Sequence, residues 1–130
     1  MKRNMLKTLL FASLGIIMVI VFTSAKESIS PPDAPGIPLV IDMHKDKCTI
    51  KYRAPYRDGG APIVGYVVEK KYVTEAHWTV VNVKNLITEL EYTVDNLREG
   101  EDIQFRVYAL NVAGRGPASE PCNPITVREL

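Results

Sequence analysis

The fold of this chain is decided by the stretch RDGGAPIVGYVVEKK, residues 57–71, in which a charged turn with two glycines becomes an alternating, β-rich run. Gly59 and Gly60 can take positive φ angles at little steric cost, so the first residues predict a tight bend. The alternation of apolar and polar side chains that follows predicts a strand with one buried face. One question stays open: whether Arg57 and Asp58 serve only this bend or also contact a partner.

Short alternating segments of the same kind recur on both sides of this stretch, and turn signals separate several of them. No stretch after Ala25 combines a helical period with a capping signal. The candidate strands are residues 39–43, 47–52, 63–71, 77–83, 89–94, 102–110 and 123–129. This spacing predicts an all-β fold, a seven-stranded antiparallel sandwich of the immunoglobulin-like kind.

The alternation also predicts which side chains fill the core between the two sheets. The aromatic members are interpreted as packing residues, because they fall at strand period and no glycine-rich phosphate loop lies nearby, so no cofactor is expected. The predicted core residues are Cys48, Ile50, Tyr52, Tyr66, Val68, Trp78, Tyr92, Val94, Leu97, Ile103, Phe105, Val107 and Ala109.

Residues 1–25 have the plan of a targeting segment. A basic start, MKRNMLK, precedes the apolar run of residues 9–22, and small residues follow it. That order favours a cleaved signal peptide. The uncharged run of residues 8–25 reaches the lower limit for crossing a bilayer, so a retained membrane anchor helix is the alternative. A segment without any targeting role is the third reading.

The charge pattern changes after this segment. The whole chain has a formal net charge of +1, but residues 26–130 hold 13 basic and 15 acidic side chains. Without a basic cluster interleaved with aromatic side chains, nucleic acid is not an expected partner. Residues 26–34 are polar and rich in proline, which predicts an extended linker. The folded domain is predicted to occupy residues 35–130.

The chain has two cysteines, Cys48 and Cys122. A disulfide requires Cα atoms roughly 4.4 to 6.8 Å apart. The predicted strands put the two residues in different sheets and near opposite ends of the sandwich, so we expect both thiols to be free. A buried free cysteine is typical of an intracellular domain, whereas residues 1–25 favour export, and the two indications conflict.

Three quoted segments carry a resemblance to a known family: APYRDGGAPIVGYVVEKK, then Trp78, then YTVDNLREGEDIQFRVYALNVAGRGPASEP. In this order they resemble a fibronectin type III domain, most closely the repeats of the muscle proteins titin, twitchin and myosin-binding protein C. The resemblance implies a seven-stranded sandwich without a catalytic site. Two positions depart from the family pattern: Tyr52 stands where a core tryptophan is usual, and Ile103 where a tyrosine is usual. The second change removes a corner hydrogen bond from that side chain.

The resemblance also implies where a partner would bind. The turn with Arg57 and Asp58 and the loop with Arg115 are expected to converge at one end of the sandwich, where such domains bind proteins. The charges of residues 69–71 are interpreted as a strand edge that discourages pairing. Neither histidine has metal-ligand spacing, and no nucleophile motif is present, so no enzyme, metal site or small-molecule substrate is expected.

Two functions follow from these observations. The first is a non-enzymatic interaction, adhesion or structural module, delivered to the secretory pathway or anchored in a membrane by residues 8–25. The second is a fragment or short product of an intracellular sarcomeric scaffold that resembles titin or twitchin. An enzyme is the least favoured class.

Overall fold

The structure, a computed structural model, describes residues 28–130. It contains eight β-strands: β1 (Leu39–Met43), β2 (Cys48–Lys51), β3 (Gly65–Tyr72), β4 (Thr79–Val80), β5 (Glu91–Val94), β6 (Asp102–Asn111), β7 (Gly114–Arg115) and β8 (Ile125–Thr126). Within this described range no helix is long and apolar enough to span a membrane. The predicted signal or anchor helix lies outside the described residues.

Two antiparallel sheets form the sandwich. The smaller sheet has the order β1-β2-β5, and the larger has the order β4-β3-β6-β7, with β8 also paired to β6. The longest pairing joins β3 to β6, in continuous register from Gly65 opposite Leu110 to Tyr72 opposite Ile103. The all-β sandwich is confirmed, and the decisive stretch of the sequence supplies the central strand β3 of the larger sheet.

The core lies between the sheets and contains most of the side chains that the alternation predicted. Ile50, Val68, Ile103 and Phe105 have no measurable exposure. The Tyr52 ring lies 5.2 Å from that of Tyr66, at an interplanar angle of 59°. The Tyr52 hydroxyl, which burial would otherwise leave without a partner, donates to the carbonyl oxygen of Glu89 at 2.8 Å.

One predicted core residue is elsewhere. Trp78 is only partly buried and does not belong to the core cluster. It precedes β4, whose Val80 pairs with Glu69 on the outer face of the larger sheet. The prediction that Trp78 packs in the core is therefore wrong. Of the predicted strand 77–83 only Thr79 and Val80 form a strand, so Trp78 does not follow the alternation assumed for the longer segment.

The predicted seventh strand, 123–129, is present but shortened to β8, Ile125–Thr126. Before β8, an irregular segment, residues 116–122, runs along β6. Every third residue of it, Gly116, Ser119 and Cys122, donates its backbone N–H to every second carbonyl of β6, those of Ala109, Val107 and Phe105. Each of the two intervals therefore contains one extra residue, and each contains a proline, Pro117 in the first and Pro121 in the second. Proline lacks a backbone N–H, which suits positions that skip the ladder.

Side chains complete this ladder. The backbone N–H of Val107 donates to the Ser119 hydroxyl at 3.0 Å, and that of Phe105 donates to the Cys122 sulfur at 3.3 Å. These two atoms accept from buried amides that the irregular segment would otherwise leave unpaired. Ser119 and Cys122 thus act as structural acceptors in the sheet.

Both cysteines are free and buried, as the sequence predicts, but the reason given for it is wrong in part. They do lie on different sheets. However, the Cys122 sulfur accepts a hydrogen bond from the backbone N–H of Phe105, three residues from the start of β6. Cys48 begins β2 at that same end of the sandwich. Both belong to the same core cluster. Burial raises the pKa of the Cys48 thiol to about 12, and the nearby Cys122 adds to that increase.

Candidate functional site

The end of the sandwich that carries the glycine-rich turns is crossed by the first described residues. The backbone N–H of Ser30 donates to the carbonyl of Gly59 at 2.9 Å, and that of Asp33 donates to the carbonyl of Arg57 at 3.0 Å. The Asn111 side-chain amide donates to the carbonyls of Ser30 and Asp58, each at 2.7 Å. We call residues 30–33 the N-terminal strap.

The strap gives a physical reason for two glycines. A Cβ atom on Gly59 would overlap the carbonyl oxygen of Ser30, and one on Gly116 would overlap that of Pro32. Gly59 also has a φ of 83°, which side-chain-bearing residues rarely adopt. The predicted linker, 26–34, is thus bound to the domain over much of its described part.

The predicted site residues occupy this end but differ in what holds them. The Asp58 carboxylate accepts the backbone N–H of Gly60 at 2.9 Å, closing its own turn. Arg57 is exposed. Arg115 lies in β7, opposite Leu110, so its backbone is beside the strap while its side chain lies elsewhere.

The Arg115 side chain lies on the outer face of the larger sheet. Its guanidinium carbon lies 4.4 Å from the centroid of the Tyr108 ring, and its Nη1 donates to the Tyr108 hydroxyl at 3.0 Å. That hydroxyl in turn donates to the carboxylate of Glu69 at 3.0 Å. Burial and the Glu69 carboxylate raise the pKa of Tyr108.

Glu69 is at the centre of this arrangement, contrary to the interpretation of residues 69–71 as a charged strand edge. It lies in β3, which is paired on both sides, and it is 8% exposed. Its carboxylate accepts from Arg106 Nε at 2.7 Å. A carboxylate this buried requires such partners, because removing it from water unpaired is costly.

Trp78 extends the same surface. The Arg106 guanidinium carbon lies 4.4 Å from the centroid of the Trp78 ring, and the Lys71 ammonium lies 5.8 Å from it. At these distances a cation is attracted electrostatically to the face of an aromatic ring. We call this surface the cation–aromatic face; it consists of Glu69, Lys71, Trp78, Arg106, Tyr108 and Arg115.

Comparison with known proteins identifies the architecture. The family model described as "Fibronectin type III domain" matches residues 33–125. This chain belongs to the fibronectin type III family. The matched range of this fibronectin type III domain covers β1 to β7, the strap residue Asp33 and the whole cation–aromatic face.

Muscle proteins are among the relatives of the domain. It is 39% identical over 100 residues to human cardiac-type myosin-binding protein C, covering 75% of this chain and 8% of that protein. It matches the titin domains A168–A170 with a TM-score of 0.71 and 36% identity, covering 76% of this chain and 33% of that one. It matches titin module A71 from human cardiac muscle with a TM-score of 0.68 and 39% identity, covering 76% and 95%. The predicted resemblance to muscle repeats is confirmed, and the domain spans a small part of that first relative.

Among the described residues no set of three His, Cys, Asp or Glu side chains could hold a metal ion.

Of the cation–aromatic face, the sequence singled out Arg115 as a candidate partner-binding residue but did not show that the other members lie together with it. The available signal was that Arg106 and Tyr108 occupy outward positions of β6, alternating with the buried Phe105 and Val107. The register that sets Glu69 opposite Arg106 could not be read from either strand alone.

Proposed function

We propose that this chain is a non-enzymatic protein-interaction module of an intracellular, sarcomere-type scaffold. The observation that carries the proposal is its 39% identity to a repeat-sized part of cardiac myosin-binding protein C, together with 36% and 39% identity to titin domains. The name of the first relative states that it binds myosin. We therefore expect a protein partner, with the myosin filament as the first to test.

One structural observation supports an intracellular location over export, and a second supports a protein partner. Both cysteines are free and buried, which is the usual state in a reducing compartment. In addition, the exposed surface is rich in arginine stacked on aromatic rings, and arginine is a frequent anchor at protein interfaces.

Our first candidate contact is the turn with Arg57 together with Arg115, whose backbone lies at the same end of the sandwich and whose guanidinium lies on the outer face of the larger sheet. The Asp58 carboxylate is committed to its own turn, so its expected contribution is to hold Arg57 in place. The test is co-sedimentation of the full 130-residue chain with purified myosin filaments, comparing the natural protein with an Arg57→Ala/Arg115→Ala variant.

We expect the natural protein to sediment with the filaments and the double variant to bind more weakly. A matched control, Lys45→Ala/Lys47→Ala, removes two exposed cations from the β1–β2 turn at the other end of the sandwich. If the control loses binding and the Arg57/Arg115 variant does not, the contact is at the opposite end. If the natural protein stays in the supernatant, the proposed partner is wrong.

A second candidate function, an interaction or adhesion module carried to the secretory pathway or a membrane, is favoured by one observation. Residues 8–25 are free of charge and mostly apolar, behind a basic start. N-terminal sequencing of the expressed protein, combined with cell fractionation, separates the two proposals. A chain that begins at Lys26 in the medium, or at Met1 in a membrane fraction, supports delivery, whereas Met1 in a soluble cytosolic fraction supports the scaffold.

A further inference from the structure

The positive charge of the cation–aromatic face does not follow from the composition of the domain. Residues 28–130 carry 12 lysines and arginines against 14 aspartates and glutamates. On this face the balance is reversed, with Lys71, Arg106 and Arg115 surrounding the single carboxylate of Glu69. Because Glu69 is largely buried, the surface that solvent meets is cationic.

The two guanidinium groups on this face are held in fixed positions. Arg106 is fixed by its Nε contact with Glu69 and by stacking on Trp78, and Arg115 by the Tyr108 hydroxyl and ring. Among the described residues, the terminal nitrogens of Arg106 have no hydrogen-bond acceptor, and its side chain is 31% exposed. Free N–H donors of this kind favour a ligand with acceptor oxygens. An ordered guanidinium loses less entropy on binding a carboxylate than a mobile guanidinium does.

The spacing of the two groups suits an extended chain. Only the Tyr108 hydroxyl and the Glu69 carboxylate separate the two guanidinium groups, through hydrogen bonds of 3.0, 3.0 and 2.7 Å. An extended peptide places side chains on one side at every second residue, roughly 7 Å apart, so carboxylates two positions apart can reach both groups.

We propose that the cation–aromatic face binds an acidic, extended segment of a protein partner, with carboxylates on Arg106 and Arg115 and the chain packed against Trp78. The inference rests on the proposed function only in taking the ligand to be a protein. It moves the main contact from the loop end to the sheet face, with Arg115 shared by both surfaces.

The test uses the full chain and a 12-residue peptide of alternating glutamate and serine. Trp78 is the chain's one tryptophan, so its fluorescence reports occupation of the face directly. Arginine Nε–Hε signals in a ¹⁵N NMR titration report Arg106 and Arg115 without any variant. We expect both readouts to change on titration, and the affinity to fall as salt is raised because part of the attraction is screened.

Two variants with the same loss of charge separate a site from general electrostatic attraction. Arg106→Gln/Arg115→Gln removes the two guanidinium groups of the face, and Arg53→Gln/Arg128→Gln removes two exposed arginines elsewhere. We expect the first variant to weaken peptide binding at least about tenfold and the second to change it less than about twofold. Equal losses in the two variants would overturn the proposal.

The peptide itself provides the remaining controls. The same peptide with glutamine in place of glutamate should not bind. If inorganic phosphate at equal ionic strength reproduces the response of the acidic peptide, the face is a general anion site and the proposal is wrong. If the acidic peptide leaves the Trp78 and arginine signals unchanged, it is also wrong, whether or not the chain sediments with myosin. Peptide binding without co-sedimentation would instead contradict only the proposed function.

Discussion

The hydroxyl of Tyr72 accepts a hydrogen bond from the backbone N–H of Arg98 at 3.0 Å. Tyr72 is in β3, directly opposite Ile103 of β6, the position where the family resemblance implies a tyrosine. The segment between β5 and β6, which contains Arg98, is therefore hydrogen-bonded to a tyrosine of the neighbouring strand β3. The Arg98 guanidinium covers the same ring, with its carbon 4.2 Å from the centroid.

Replacement of Tyr72 by phenylalanine tests this contact. The change keeps the buried ring but leaves the Arg98 amide without its acceptor, so we expect a loss of about 1 kcal/mol in the free energy of unfolding. Chemical denaturation measures it. Tyr56→Phe is the matched control, because Tyr56 is 94% exposed and should not change stability. A Tyr72→Phe variant as stable as this control would show that the hydrogen bond does not stabilise the domain.

Tyr52 tests the core at the position where the resemblance implies a tryptophan. Tyr52→Ala should cost about 3 to 5 kcal/mol, because it removes a buried ring that packs on Tyr66. Tyr52→Phe removes only the hydroxyl that bonds to Glu89 and should cost about 1 kcal/mol. Urea denaturation of both variants gives the two numbers. A loss below about 1 kcal/mol for Tyr52→Ala would be incompatible with a core position.

Gly116→Ala tests the N-terminal strap. The φ angle of Gly116 is not in the positive range, so the added methyl group acts only by overlapping the Pro32 carbonyl. We expect a loss of about 1 to 3 kcal/mol, the usual effect of overpacking. The control is the same substitution in a chain lacking residues 1–33, where it should be nearly neutral. Equal losses in both backgrounds would mean that the strap is not what Gly116 accommodates.

The two thiols should be unreactive in the native protein and both available after unfolding. Burial raises the pKa values of Cys48 and Cys122 above that of an ordinary thiol, so little thiolate forms at pH 8. We expect no rapid reaction with a thiol reagent under native conditions, and two equivalents consumed in denaturant without reductant. An intact mass two hydrogens lower, with no reactive thiol, would reveal a disulfide.

His44 should titrate at a higher pH in the folded than in the unfolded chain. Its Nδ1 lies 2.9 Å from a Glu129 carboxylate oxygen and its Nε2 lies 3.2 Å from one of Asp42; both contacts raise the His44 pKa, with Glu129 contributing most. The favourable contribution is present below the unfolded pKa of about 6.5 and is lost as pH rises through the higher folded value.

NMR titration of the His44 ring signals measures this shift. Glu129→Gln should lower the His44 pKa towards its ordinary value, whereas Glu120→Gln, which removes a carboxylate that does not contact His44, should leave it unchanged. If His44 titrates at the same pH in the Glu129→Gln variant and in the natural chain, Glu129 does not hold it.

The sequence by itself determined the sandwich, because strand alternation and turn residues are local properties. The stretch of residues 57–71 predicts both the bend and β3, and the alternation of β6 predicts that Phe105 and Val107 are buried. Cys48 and Cys122 were also predicted to be free. The predictions of the bend, of β3 and of the buried face of β6 depend on neighbours within a few positions, which is the range over which a sequence pattern carries structural information. The free thiols were predicted from strand placement instead, and that argument was correct only in part.

Only the tertiary structure decided the pairings between distant segments. The strap residue Ser30 bonds to Gly59 and Asn111, Tyr72 replaces the contact missing at Ile103, and Glu69 meets Arg106 and Tyr108 from another strand. The role of each side chain in these contacts depends on the register between strands separated by dozens of residues, which alternation within one strand does not specify. For the same reason Trp78, predicted for the core from its own short segment, is found on the outer face.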